Sequence, residues 1–134
     1  MNKIKKAFII DDDDILNYVT KELISKFDKN CDVTTFTNPQ KALDTLVQIF
    51  KTEKEKLPDV LLLDINMPLL SGFDFLEKMK EEGLSHAIQV IMYTSSVNPK
   101  DKKESAKFDN VVGYMEKPFT AQAYGKILEM AYFR

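Results

Sequence analysis

"AFIIDDDDIL", residues 7–16, decides the fold. An apolar run from Ala7 to Ile10 stops at four consecutive aspartates, Asp11 to Asp14, and the apolar pattern resumes at Ile15. Similar aliphatic runs recur at Val60 to Leu63, Val90 to Tyr93 and Val111 to Met115, as expected of strands covered on both faces. "CDVTTFTN", residues 31–38, adds a weaker alternating strand. Between these runs the apolar residues step by three and four, the spacing of a helix face. Leu16, Val19, Leu23 and Phe27 form one stripe, and Leu43, Leu46, Val47 and Phe50 a second. Phe73, Leu76 and Met79 form a third, and Tyr124, Ile127, Leu128 and Ala131 another. Asn98 to Phe108 is mostly polar and predicts a short, loosely packed fourth helix. Strands alternating with helices predict an α/β fold: a doubly wound, five-stranded parallel sheet with five helices on its two faces.

Composition narrows what such a fold can do. The chain has 134 residues, 44% hydrophobic and 30% charged, the size of one domain with a real core. Its fifth helix ends at Arg134, which predicts a single domain over 1–134 with no output domain. Lys and Arg total 19 against 21 acidic residues, a net charge of -2. That balance gives no long-range attraction to nucleic acid or to an anionic membrane. Cys31 is the only cysteine, so no internal disulfide forms and a reducing, cytoplasmic setting is expected. "MNKIKKAFII" holds too few consecutive apolar residues for a signal peptide or membrane span.

In an open parallel sheet, ligands sit beyond the carboxyl ends of the strands, where the strand order reverses. The residues that follow the strands are Asp11 and Asp12, Asp64 in "LLLDINMP", Thr94 and Ser95, and Glu116-Lys117-Pro118. A single aspartate there is commonly a helix N-cap, and a lone lysine or threonine is commonly just surface or strand end. The conjunction is more specific. Converging carboxylates raise each other's pKa unless a cation joins them, and Mg²⁺ takes oxygen ligands from one or two carboxylates plus a phosphate. An acidic Mg²⁺ cup with a hydroxyl and a lysine holds the parts of a phosphoryl-transfer site. The remaining carboxylate is then free to act as nucleophile. Asp13 and Asp14 belong to the helix that follows, where one of them caps free N–H groups.

"IIDDDD", "LLLDINMPLLSG", "VIMYTSS" and "GYMEKPF", in that order, resemble the receiver domain of bacterial two-component response regulators, over nearly the whole chain. The resemblance implies the flavodoxin-like strand order 2-1-3-4-5 and a stand-alone, chemotaxis-regulator-like protein of phosphorelay signalling, not an enzyme beyond its own aspartyl phosphorylation and dephosphorylation. It implies Asp64 as phosphoacceptor and Mg²⁺ as cofactor, with Asp12 a direct metal ligand, Asp11 acting through water, and the Asn66 carbonyl completing the set. Thr94 matches the switch hydroxyl, Lys117 the lysine that pairs with the phosphoryl group, and Tyr114 the aromatic switch. Pro118 matches a site of cis geometry, and Gly72 a turn where positive φ is cheap. Asn66 and Ser96 match the positions flanking the attacking water. "FDNVV" stands where many relatives carry a Gly-Ala pair, so the fourth helix is expected to end differently. The implied partners are a histidine kinase or histidine phosphotransfer protein and a downstream protein target. A dimer formed on phosphorylation would use the face around Tyr114.

Helix geometry adds a docking surface. A core stripe of Leu16, Val19, Leu23 and Phe27 leaves Ile15 and Tyr18 pointing outward beside the acidic rim. We read them as a donor-docking patch completed by Phe119. Three rivals weaken on the residues. A haloacid-dehalogenase-type aspartyl-phosphate phosphatase wants a second aspartate where Asn66 stands, and a flavin carrier would not set four aspartates against a phosphate. A pseudo-receiver interaction module predicts a lost acceptor, acidic pair or lysine. His86 falls at the far end of the sheet, away from the rim, and is not expected to act.

Overall fold

In a computed structural model describing residues 4–95 and 98–132, five strands form one parallel sheet. They are β1 (Lys6–Ile10), β2 (Asp32–Phe36), β3 (Val60–Leu63), β4 (Gln89–Thr94) and β5 (Val111–Glu116), in the order β2-β1-β3-β4-β5. The helices are α1 (Asp14–Phe27), α2 (Pro39–Thr52), α3 (Gly72–Glu81), α4 (Pro99–Ser105) and α5 (Ala123–Tyr132). A short 3-10 turn, Lys54–Lys56, fills the polar connection before β3.

Alternation along each strand divides the core in two. Phe8, Ile10, Leu61, Leu63, Val90 and Met92 face α2 and α3, whose Ala42, Leu43, Leu46, Phe75, Leu76 and Met79 meet them. Ala7, Ile9, Leu62, Ile91 and Tyr93 face the other way, toward Ile24 of α1 and Ala123, Tyr124 and Ile127 of α5. The register between β4 and β5 shifts by one: Val90 pairs with Val111 but Ile91 with Gly113. Gly113 then lies so close to Met130 that a Cβ would stand 2.1 Å from its sulfur.

Capping chemistry places the helix starts. Asp13 caps α1, accepting from Leu16 N at 3.0 Å, and Ser71 caps α3. Asn38-Pro39 and Asn98-Pro99 open α2 and α4, the proline supplying a preset φ without an orphaned N–H.

One helix face differs from the apolar spacing. Val19 and Phe27, assigned to the core stripe of α1, are 43% and 46% exposed, while Asn17, Thr20 and Ile24 are buried. Two of these three are polar, and both bond inward. Asn17 Nδ2 donates to the carbonyls of Asp11 at 2.8 Å and Phe36 at 3.3 Å. The Thr20 hydroxyl meets the Tyr93 hydroxyl at 3.3 Å. Burying a polar side chain is affordable when it is hydrogen-bonded, so α1 is turned by its polar residues as well as its apolar ones. Among the described residues no helix is long and apolar enough to cross a membrane.

Candidate functional site

Backbone bonds beyond the strands hold the rim together. Asp11 N donates to Phe36 O at 3.0 Å, Asp64 N to Ile10 O at 3.0 Å, and Lys117 N to Thr94 O at 2.9 Å. Each continues a parallel ladder one step past its strand. Asp11, Asp64, Thr94 and Lys117 therefore stand on backbone that extends the sheet ladder rather than on free loops.

Their side chains converge. Carboxylate oxygens of Asp11, Asp12 and Asp64 lie within 4.8 Å of one another. Asp11 and Asp64 are buried and Asp12 is exposed, leaving the cup open on one side. Asp11 Oδ1 accepts from Asp13 N at 3.0 Å, and its Oδ2 ion-pairs with Lys117 Nζ. The same ammonium stands 3.4 Å from Asp64 Oδ2. The Thr94 hydroxyl, fully buried, donates to the Asp64 carboxylate.

The electrostatics are unbalanced toward negative charge. Desolvation, then the Asp11 charge, raises the Asp64 pKa above the ordinary carboxylate value, and Lys117 and Thr94 only partly offset them. Burial works against the Lys117 charge, but the Asp11 hydrogen bond and the neighbouring carboxylates outweigh it and hold its pKa above the usual lysine value. Three carboxylates facing one ammonium have room for a hard cation, and an all-oxygen donor set suits Mg²⁺.

The remaining predicted residues fall in different places. Asn66 is exposed, two residues past Asp64, and Ser95 is exposed beside Thr94. Ser96 lies outside the described residues. Tyr114 is half-buried against the α2/α3-side core. It borders a depression of about 290 Å³ shared with Asn98, Pro99, Lys102 and Glu116. The Lys117–Pro118 peptide is cis. Ile15 and Tyr18 are 78% and 65% exposed.

Two expectations need correction. Phe119 does not complete a surface patch with Ile15 and Tyr18: it is 6% exposed, its ring edge-on to Tyr93. An aromatic directly after Lys117-Pro118 is more favourably buried against that ring than left in water. Gly72 is not a positive-φ turn; among the described glycines only Gly83 is, at 78°. Gly72 is required by proximity, because a Cβ would sit 2.4 Å from the Asp64 carbonyl oxygen.

Sequence reasoning passed over Asn17, which pins the Asp11 carbonyl, and Tyr93, which underlies Lys117. Asn17 lies off the apolar stripe read from the sequence, so apolar spacing carried no signal of its burial, which follows from its hydrogen bonds.

Comparison with known proteins agrees with this geometry. The family described as response regulator receiver domain matches residues 7–129. The chain is 30% identical to the chemotaxis protein CheY-3 of Vibrio cholerae over 135 aligned positions, covering all of this chain and 96% of that protein. It is also 30% identical to the DNA-binding transcriptional regulator NtrC of Klebsiella pneumoniae over 113 positions, 84% of this chain but only 22% of that longer protein. Among solved structures, a two-component response regulator from Cytophaga hutchinsonii superposes with a TM-score of 0.86 at 25% identity, covering 98% of this chain and 99% of that one. A response regulator receiver domain protein from Clostridium thermocellum gives 0.72 at 27% identity, covering 96% and 94%. Five parallel strands in the order 2-1-3-4-5 with an acidic cup at their carboxyl ends, and a family match over nearly its whole length, make this chain a member of the response regulator receiver family of two-component signalling.

Proposed function

We propose that the protein is a single-domain response regulator that accepts a phosphoryl group on Asp64 from a histidine kinase or histidine phosphotransfer protein. The observation that carries this is the setting of the Asp64 carboxylate, between the Thr94 hydroxyl and Lys117 and beside Asp11 and Asp12. An Asp64 oxygen attacks the phosphorus in line, forming a new P–O bond as the P–N bond to the donor imidazole breaks and its electrons return to that nitrogen. Lys117 balances charge on the phosphoryl oxygens, and Thr94 donates to one of them. Asp11, Asp12, Asp64 and the Asn66 carbonyl would hold Mg²⁺, which supplies the additional charge neutralisation that phosphoryl transfer needs. Hydrolysis by water at phosphorus restores the carboxylate, so no other catalytic turnover is assigned to the chain.

Phosphorylation adds charge and acceptor oxygens beside Thr94. Drawing Thr94 toward them frees space for Tyr114 to turn further inward and reshapes the α4-β5-α5 face, which then engages a downstream protein or a second copy. The seven-residue α4, with Ser105 its only buried residue, suits a mobile part of that face. Ile15 and Tyr18 on α1 form the donor-docking patch. Near-complete coverage of the chemotaxis relative supports a stand-alone receiver, and the single buried thiol fits a cytoplasmic setting.

Intact-mass measurement after incubation with Mg²⁺ and acetyl phosphate tests this reading. The expected result is a gain of one phosphoryl group in the wild type and none in Asp64→Asn or in chelator. No gain in the wild type would leave a binding-only receiver. A gain that persists in Asp64→Asn would move the acceptor elsewhere.

A further inference from the structure

Tyr93 closes the apolar run of β4, one residue before Thr94, and is 1% exposed. Its hydroxyl meets Thr20 Oγ1 on α1 at 3.3 Å. The phenol oxygen therefore ties β4 to α1. The Phe119 ring holds the phenol ring from the side, with centroids 6.4 Å apart and planes at 84°. Lys117 Nζ stands 5.7 Å from the centroid of the Tyr93 ring, within the range where the negative face of an aromatic ring attracts an ammonium.

Lysine is a compact charge on a flexible four-carbon stem, and holding it in one place costs rotamer freedom. Asp11 and Asp64 draw the ammonium toward the cup, but charge attraction alone does not choose among the stem's rotamers. A ring buried in the core and held edge-on by Phe119 does. An aliphatic residue at position 93 would fill the same core space without offering that electrostatic face.

We propose that the Tyr93 ring is the seat of Lys117, making Tyr93 a positioning residue for phosphoryl transfer, with the surrounding core and the Phe119 ring holding it in place. Its catalytic consequence rests on the receiver reading above; the seat itself does not.

The test has two arms. In protein labelled with ¹³C-lysine, and assigned by the Lys117→Ala spectrum, the ring current of Tyr93 should move the Lys117 Cε protons upfield. The shift should persist in Tyr93→Phe and disappear in Tyr93→Leu. In the second arm, acetyl phosphate with Mg²⁺ should phosphorylate Tyr93→Leu about three- to tenfold more slowly than wild type. Tyr93→Phe should stay within about twofold, and Tyr93→Leu should bring no further slowing in a Lys117→Ala background. An ordinary lysine shift for Lys117 in the wild type overturns the proposal, and that measurement does not need Tyr93→Leu to fold. So does equal slowing by Tyr93→Leu with and without Lys117, which would mark a purely structural role. If the wild type takes no phosphoryl group, the receiver mechanism falls while the ring-current shift still decides the seat.

Discussion

Leu69 occupies the left-handed region at φ 73°, the only described non-glycine residue with positive φ. Leu70 N donates to Pro68 O at 2.8 Å, closing a three-residue turn around Leu69, and the Leu69 side chain is 88% exposed. Met67 and Leu70 are both buried, so the loop is anchored on either side and pushes Leu69 outward. A Cβ in this conformation costs about 1–2 kcal/mol, part of which glycine forfeits as extra freedom in the unfolded chain. Leu69→Gly should therefore raise unfolding stability by about 0.5–1 kcal/mol in urea. Cys31 makes a pH prediction. Burial, then the Asp28, Asp59 and Asp32 carboxylates, push its thiol from 9.0 up to about 12. Between those values the folded protein keeps a proton that the unfolded chain has lost, so stability falls as pH rises through that window. Thermal melts above pH 9 should decline more steeply in the wild type than in Cys31→Ala. At single residues the sequence was informative wherever a side chain's chemistry names its role, as with Asp64 and Lys117. It pointed to the wrong reason for Gly72, which is required by the carbonyl of a residue eight positions earlier and not by a positive φ.

The four aspartates separate into two functions at the junction of β1 and α1. Asp11 and Asp12 face the cup, Asp13 caps the helix, and Asp14 lies in its first turn. Asp13→Ala should cost about 1 kcal/mol of stability, the usual worth of an N-cap, with little effect on Mg²⁺ binding. Asp12→Ala, at an exposed position without a capping bond, should change stability by less than about 0.5 kcal/mol yet weaken Mg²⁺ binding severely in a titration. Comparable Mg²⁺ losses in the two would undo the division. Elements were legible where apolar spacing is unopposed, as in β1, β3 and α2. They were misread where polar residues are buried by partners distant in sequence: Asn17 faces inward because Phe36 lies across from it, and Thr20 because Tyr93 does. Apolar periodicity carries no trace of a hydrogen bond to a residue 73 positions away.

Across the whole molecule, the order 2-1-3-4-5 brings the carboxyl ends of β1, β3, β4 and β5 side by side, with the order reversing beside β1. The mutual repulsion of Asp11, Asp12 and Asp64 is then a cost of the metal-free fold that a bound cation relieves. Mg²⁺ at one hundred times its dissociation constant should stabilise the protein by about 2.7 kcal/mol, read as a rise in melting temperature. Chelation should reverse the rise, and Asp64→Asn should lose most of it. The sequence by itself determined the alternation of strands and helices, the parallel sheet, and which residues stand at the strand ends, because those follow from local apolar runs and from residues adjacent to them. Only the tertiary structure decided which face α1 buries, that Phe119 packs inward on Tyr93, that Gly72 must be bare, and that Lys117 rests on an aromatic ring. Each of these depends on the distance between groups that are not neighbours along the chain. The opening stretch shows both: its apolar run and aspartates announce a strand and a charged rim, while the separate tasks of Asp11, Asp12 and Asp13 appear only when Lys117, Asp64 and the first turn of α1 are set against them.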